Sequence, residues 1–252
     1  MKQKNSKQMG LFNRPLILVT NDDGYQSVGI EALAKAASQH GDVIIAAPKE
    51  YMSAQGRAIT LRKPISVEQT YISGIQTYIV DGTPASSVIV ALESLLDRKP
   101  DLVVSGINNG ENMASAMTMS GTLNAAIEAA TYGIPALAIS VQRPEGAPRD
   151  SVKFDYAAGV ASELIKEMLD GTIWSRLLNV NVPPHPDENT EFVYGVPSRT
   201  KMHWPQVKQE GGNYFIEWKR DYTDAEPGSD VDIVVNQNNV AVTSLDYMIG
   251  TA

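Results

Sequence analysis

Short apolar runs punctuate the chain as far as Val182: Leu16–Thr20, Val43–Ala47, Ile75–Val80, Leu102–Ser105, Ala136–Val141 and Leu177–Val182. Most are continuous rather than alternating and are rich in Val and Ile, the pattern of strands covered on both faces. Between them the spacing predicts helices near Ile30–Gln39, Ala85–Leu96, Thr122–Tyr132 and Phe154–Leu169. In the last, Phe154, Ala157, Ala158, Ala161, Leu164, Ile165 and Met168 recur every three or four residues and make one apolar face. Strand and helix thus alternate as βαβ units. Right-handed crossovers build such units into an α/β fold with a largely parallel sheet covered on both faces.

The rhythm changes after Pro183-Pro184-His185-Pro186. Phe192–Val196 and Tyr214–Trp218 read as strands of a projecting hairpin, with Gly211-Gly212-Asn213 as a turn ahead of the second. A last strand, Val240–Ser244, follows the loop Pro227-Gly228-Ser229-Asp230. Residues 15–183 are therefore expected to form the α/β core that carries the active site. Residues 184–252 form a smaller, β-rich C-terminal part, and its Trp204, Tyr214, Phe215 and Trp218 suit a contact between subunits. Residues 1–14 are polar and basic without the apolar centre of a secretory signal, and are read as a flexible tail.

Composition narrows the function. Lys and Arg number 21 against 29 Asp and Glu, a net charge of −8, which argues against binding to nucleic-acid polymers or anionic membranes. No apolar run approaches the roughly 20 residues needed to span a bilayer. The absence of cysteine removes disulfides, thiolate nucleophiles and thiolate metal sites together. The cytoplasm is the expected location.

Candidate chemistry gathers at strand ends. Asn21-Asp22-Asp23-Gly24 directly follows the first run. Two adjacent carboxylates are costly inside a buried strand, since each unpaired charge must be desolvated. At the carboxyl end of a parallel strand they face the crevice where open α/β sheets bind ligands, and two hard oxygen donors there suit a divalent cation. Ser105-Gly106-Ile107-Asn108-Asn109-Gly110-Glu111-Asn112 follows the fourth run, and Asn108 offers an amide oxygen of the same hard type. Ser120-Gly121-Thr122 opens an Ala-rich helix, where free N–H groups and two hydroxyls can receive a phosphate. Ser53 lies in the loop after the second run. A polar turn or a plain N-cap would account for each segment singly, but their convergence on one sheet edge favours a shared site. No G-x-G-x-x-G fingerprint and no Gly-Lys-Ser/Thr phosphate loop is present. His40, His185 and His203 fall outside these segments and are expected at the surface or at helix ends.

Together the segments resemble the SurE family, survival-protein nucleotidases that release phosphate from nucleoside monophosphates with a divalent metal. The resemblance also takes in Asp81-Gly82-Thr83-Pro84-Ala85, Leu178-Asn179-Val180-Asn181-Val182-Pro183 and Gly228-Ser229-Asp230-Val231, and runs from residue 15 to about 245. It implies a Rossmann-like core with a C-terminal part that contributes to homodimers or homotetramers. It implies one divalent ion per subunit, Mg²⁺ or Mn²⁺, held by Asp22, Asp23, Ser53 and Asn108. Asn112, Ser120, Gly121 and Thr122 would hold the phosphate of a nucleoside monophosphate esterified at the 5′ or 3′ position. Asp22 or Asp23 would serve as catalytic base, with deprotonation of water by the metal as the alternative. A phosphoaspartate route is not expected, because phosphatases that use one carry Asp-x-Asp. The chain departs from the family pattern at Lys49, Met52, Arg57-Ala58 and Ser86, departures expected to alter the shape and charge of the substrate pocket. A noncatalytic metal-and-nucleotide binding protein on the same fold is the alternative function; a dinucleotide-dependent oxidoreductase would need the glycine fingerprint that is missing.

Overall fold

Burial on both faces explains the continuous apolar runs. In β1 (Leu16–Thr20), Ile17 and Val19 enter one core and Leu18 the other. The computed structural model describes residues 14–144 and 146–246. The tail over residues 1–13 and the last six residues of the C-terminal part lie outside the described residues. Arg14, assigned to that tail by the sequence, is held on the core, its guanidinium donating to the Ser38 carbonyl at 3.0 Å.

After β1 the chain forms α1 (Val28–Ala37), β2 (Asp42–Pro48), β3 (Val67–Ile72), β4 (Ile75–Val80), α2 (Pro84–Val90), β5 (Leu102–Asn109), α3 (Gly121–Thr131), β6 (Ala136–Val141), α4 (Asp155–Asp170) and β7 (Leu177–Val182). The C-terminal part adds β8 (Phe192–Tyr194), β9 (His203–Glu210), β10 (Asn213–Arg220) and β11 (Val240–Ser244). Among the described residues nine strands make one sheet in the order β3-β4-β2-β1-β5-β6-β7-β11-β8. Its pairings are parallel except β3 with β4 and β11 with β7. Helices α1 and α4 cover one face, and α2 and α3 the other. No described helix is long and apolar enough to cross a membrane.

The chain leaves β1 for β2 on one side and later returns to the other side of β1 as β5. The carboxyl ends of β1 and β5 therefore flank the switch point at which open α/β sheets bind ligands.

Three elements differ from the sequence expectation. The edge strand β3 was not foreseen, because its residues are mostly exposed and polar (Glu68, Gln69, Thr70) and give no apolar run. β5 runs on to Asn109: its pairing with β6 slips between Ser105 and Asn108, then resumes at Asn108–Ser140 and Asn109–Val141. Such a bulge re-aims the side chains beyond it. It needs Gly106, since a Cβ there would lie 2.3 Å from the Ile139 carbonyl oxygen. Finally, Phe192–Tyr194 does not pair with Tyr214–Trp218. It lies parallel to β11, which returns to the main sheet because Val240, Ala241 and Val242 are buried against β7. The projecting ribbon is instead β9 with β10, antiparallel, with Glu210 opposite Asn213.

Candidate active site

The turn after β1 is built by Asn21. Its side-chain amide donates to the Gly24 carbonyl (3.0 Å) and the Ser27 hydroxyl (2.7 Å), and Ser27 caps α1 by accepting the Ile30 N–H. This leaves Asp22 and Asp23 at the tip of the strand.

Asp22 is only 2% exposed. Thr122, in the first turn of α3, donates both its hydroxyl and its backbone N–H to the Asp22 carboxylate. Burial, joined by the charge of Asp23, nevertheless pushes the Asp22 carboxyl up to about 6. Burial also raises the Asp23 carboxyl, against the Asn109 N–H (3.2 Å) and the Arg149 guanidinium (2.7 Å), which favour its charged form. Arg149 is itself fixed by Tyr51, whose hydroxyl it meets at 2.7 Å and whose ring it overlies at 4.3 Å.

A cleft of about 510 Å³ opens at this edge and is lined by Asp22, Ser53, Asn108, Asn112 and Ser120. Asp23 borders an adjoining hollow beside Tyr51, Asn109 and Arg149. The Ser53 loop is tied to the site by the Met52 N–H on the Asp22 carbonyl (2.8 Å) and the Gly56 N–H on the Met119 carbonyl (2.9 Å). Asn112 is clamped from below by two asparagines of β7. Its N–H donates to Asn181 (2.8 Å), its carbonyl accepts from Asn179 (2.8 Å), and its side-chain amide donates to Ser140 (2.9 Å). These bonds account for two asparagines in a fully buried strand, with the Asn179 Oδ1 left without a partner among the described residues.

Gly121 and Thr122 do not line the cleft. Thr122 is fully buried and spends its donors on Asp22. Gly121 supplies space, because a Cβ there would lie 2.6 Å from the Asp22 Cβ. Ser120 lines the cleft and caps α3, accepting the Leu123 N–H at 2.9 Å. At the α3 N-terminus, where the resemblance implies substrate phosphate, the donors of Thr122 meet the Asp22 carboxylate in this structure. The first two residues of α3 serve to place Asp22.

The donor set fits a hard divalent cation. Burial holds both carboxylates above their ordinary range, Asp23 even with the Arg149 guanidinium beside it, so a bound cation would favour their charged forms. The Asn108 amide nitrogen donates to the Gly110 carbonyl (2.7 Å), which leaves its oxygen as the acceptor. Among the described residues no group of three His, Asp or Glu side chains is placed to hold a metal, so further donors would be the neutral oxygens of Ser53 and Asn108.

The far wall of the cleft comes from residues the sequence did not assign to the site, namely Arg143, His203, Trp218 and Arg220, together with Glu111 of the segment after β5. Glu111 has a side chain only 1% exposed and accepts from Arg220 (2.9 Å) and Tyr222 (2.9 Å), with His203 at 3.6 Å. These contacts tie the base of the ribbon to the segment after β5. His203 is thus an inward residue rather than a surface one, and burial lowers its pKa. Replacing Glu111 with Ala strands the mostly buried Arg220. The expected loss of stability in urea unfolding is about 3–5 kcal/mol, as for other broken buried pairs.

The family model for survival protein SurE matches residues 17–204, well over half of the chain. The chain belongs to the SurE family. The 5′-nucleotidase SurE of Methanopyrus kandleri is 40% identical over 198 residues, covering 77% of this chain and 75% of that protein. That of Methanosarcina acetivorans is 36% identical over 251 residues, covering 94% of each. The crystal structure of SurE protein from Aquifex aeolicus superposes with a TM-score of 0.79 at 32% identity, covering 94% of this chain and 95% of that one. The departures from the SurE pattern sit away from the cleft floor: Lys49 pairs with Glu68 (2.8 Å), Arg57 with Glu128 (2.7 Å), and the Ser86 hydroxyl accepts the Thr60 N–H (2.8 Å). Neither these three nor Met52 lines the cleft.

Proposed function

We propose that this SurE chain is a divalent-cation-dependent hydrolase that releases phosphate from nucleoside monophosphates. The observation that carries the reading is the Asp22–Asp23 pair at the β1–β5 switch point, with Asp22 in a cleft shared by Ser53, Asn108, Asn112 and Ser120 and Asp23 in the adjoining hollow. The 5′-nucleotidase names of the relatives support nucleotides, and the 5′ phosphate, as substrate. One divalent ion per subunit, Mg²⁺ or Mn²⁺, suits hard oxygen donors of this type. Such an ion, when bound, polarises a phosphoryl oxygen and acidifies water.

The residues of the chain supply the rest. With its carboxyl near 6, Asp22 is matched to accept a proton from water at neutral pH, and Asp23, also raised by burial, is the alternative base. Thr122 fixes its orientation. Ser120 and the clamped Asn112 face the cleft, where they would hold phosphate oxygens. The ribbon leaves Tyr214, Phe215, Ile216 and Trp218 half or more exposed or nearly so, which supports the reading of β9–β10 as a contact between copies in a homodimer or homotetramer.

The test is phosphate release from a panel of nucleoside 5′- and 3′-monophosphates and a non-nucleotide phosphomonoester, with Mg²⁺, Mn²⁺ or chelator. Release from nucleoside monophosphates that needs the cation is expected. No release under any condition, or equal release in chelator, contradicts the reading.

A further inference from the structure

We propose that Arg143 is a substrate-binding residue, whose guanidinium receives the phosphate of the phosphomonoester. The inference rests on the reading of the cleft as a phosphomonoesterase site. Among the described residues, the charged side chains around the cleft pair off with one exception on the basic side. Arg149 is bonded to Asp23 (2.7 Å), Arg220 to Glu111 (2.9 Å), and Glu217 to Lys208 (2.6 Å). Arg143 lines the same cleft, is half-buried, and has no carboxylate or carbonyl acceptor for its side chain among the described residues.

Its backbone, by contrast, is fixed at both ends. The Arg143 N–H donates to Glu111 (3.3 Å), and its carbonyl accepts from Arg220 (2.7 Å). The preceding Gln142 N–H continues the sheet by donating to the Val182 carbonyl (2.9 Å). A clamped main chain presenting an uncommitted planar fork into a cleft is the arrangement that recognises a phosphate, which offers paired oxygens to two N–H groups. Arg143 lines the cleft together with Asp22, Asn112 and Ser120, the residues around which the phosphate is proposed to sit. A net charge of −8 for the chain makes a free guanidinium at this point conspicuous: it offsets an acidic surface where a dianion must enter. The Glu111 cluster gains a second role from this, because it is the scaffold that aims Arg143.

The test compares wild type, Arg143→Ala and Arg143→Lys by two readouts: affinity for inorganic phosphate by calorimetry, and KM and kcat for the best nucleoside monophosphate. Arg143→Ala is expected to weaken phosphate binding and raise KM by about 10- to 100-fold, the loss typical of a charge-assisted hydrogen bond. Arg143→Lys restores part of the loss, since a point charge replaces the fork. The melting temperature and Mn²⁺ affinity are expected to hold, because the side chain supports no described contact. Unchanged phosphate affinity and KM in Arg143→Ala, with an active wild type, overturn the inference. So does a loss that comes with lowered melting temperature and is not eased by Lys. A wild type that binds phosphate through Arg143 but hydrolyses no nucleotide sinks the nucleotidase reading and leaves the anion site standing.

Discussion

Replacing Asp22 with Asn is expected to abolish phosphate release while raising the melting temperature of the protein in chelator. The two effects share one cause. Asn fits the same space and keeps an oxygen for the two Thr122 donors, but it has no charge to desolvate. The folded-state pKa of Asp22 is raised from 3.8 to about 6, so the fold takes up a proton more readily than the unfolded chain between those values. Wild-type stability therefore rises as pH falls from 6 toward 3.8, and the cost of the charge is fully present above pH 6. At about 1.4 kcal/mol per unit, that cost is on the order of 3 kcal/mol at neutral pH. Relief of it would lift the midpoint by roughly 5–10 °C in a chain of this size. The gap between variant and wild type closes below pH 4. It also narrows when Mn²⁺ is added, because ligand binding stabilises the wild type alone. Activity should fall by about 10²- to 10⁴-fold, as when a general base is lost. Thermal melts from pH 4 to 8 with and without Mn²⁺, beside a phosphate assay, check both halves. A variant that melts below wild type in chelator at pH 7 refutes the electrostatic part.

Gly121→Ala should damage the site nearly as much without touching a functional group. The new Cβ falls 2.6 Å from the Cβ of Asp22 and 2.8 Å from its carboxylate oxygen. These atoms belong to a buried, short side chain that has nowhere to swing, so either Asp22 or the start of α3 must shift. Overpacking of this kind costs about 1–3 kcal/mol. A displacement approaching 1 Å at a reacting group can cost about a hundredfold in rate. Gly159→Ala in α4 is the matched control: nothing lies within 4 Å of its added Cβ, so activity should stay intact and the helix gain slightly. Equal activity in Gly121→Ala and wild type would show that Asp22 is not held by close packing against α3.

The elements most legible in the sequence were those buried on both faces. Leu16–Thr20 and Ala136–Val141 match the observed strands because every residue in them is buried and all but Thr20 and Ser140 are apolar. The strand β3 escaped because an edge strand is exposed and carries no such constraint. The ribbon was misplaced for a related reason. His203–Glu210 is nearly all exposed and contains Pro205, so nothing in its pattern announces a partner for β10.

The site divides in the same way. Asp22, Ser53, Asn108, Asn112 and Ser120 could be gathered in advance because βαβ topology brings successive strand ends to one edge. Their meeting at one cleft is a consequence of fold class alone. Arg143, His203 and Arg220 could not, since they arrive from a loop and a ribbon whose docking depends on tertiary contacts with Glu111. The signal that was available is Glu111 itself, a charged residue inside an otherwise uncharged glycine- and asparagine-rich stretch. Thr122, expected to meet phosphate, gives its hydroxyl and N–H to the buried Asp22 carboxylate in this structure, a contact that no sequence pattern announces.

The most direct measurement is the initial rate of phosphate release against Mn²⁺ concentration, for wild type and a folded Asp23→Asn variant on the best nucleoside monophosphate. The expected result is a saturable Mn²⁺ requirement in wild type that Asp23→Asn weakens or abolishes while its melting curve in chelator stays cooperative. Release that is independent of Mn²⁺, or identical in the two proteins, would contradict the placement of the reaction at the Asp22–Asp23 pair.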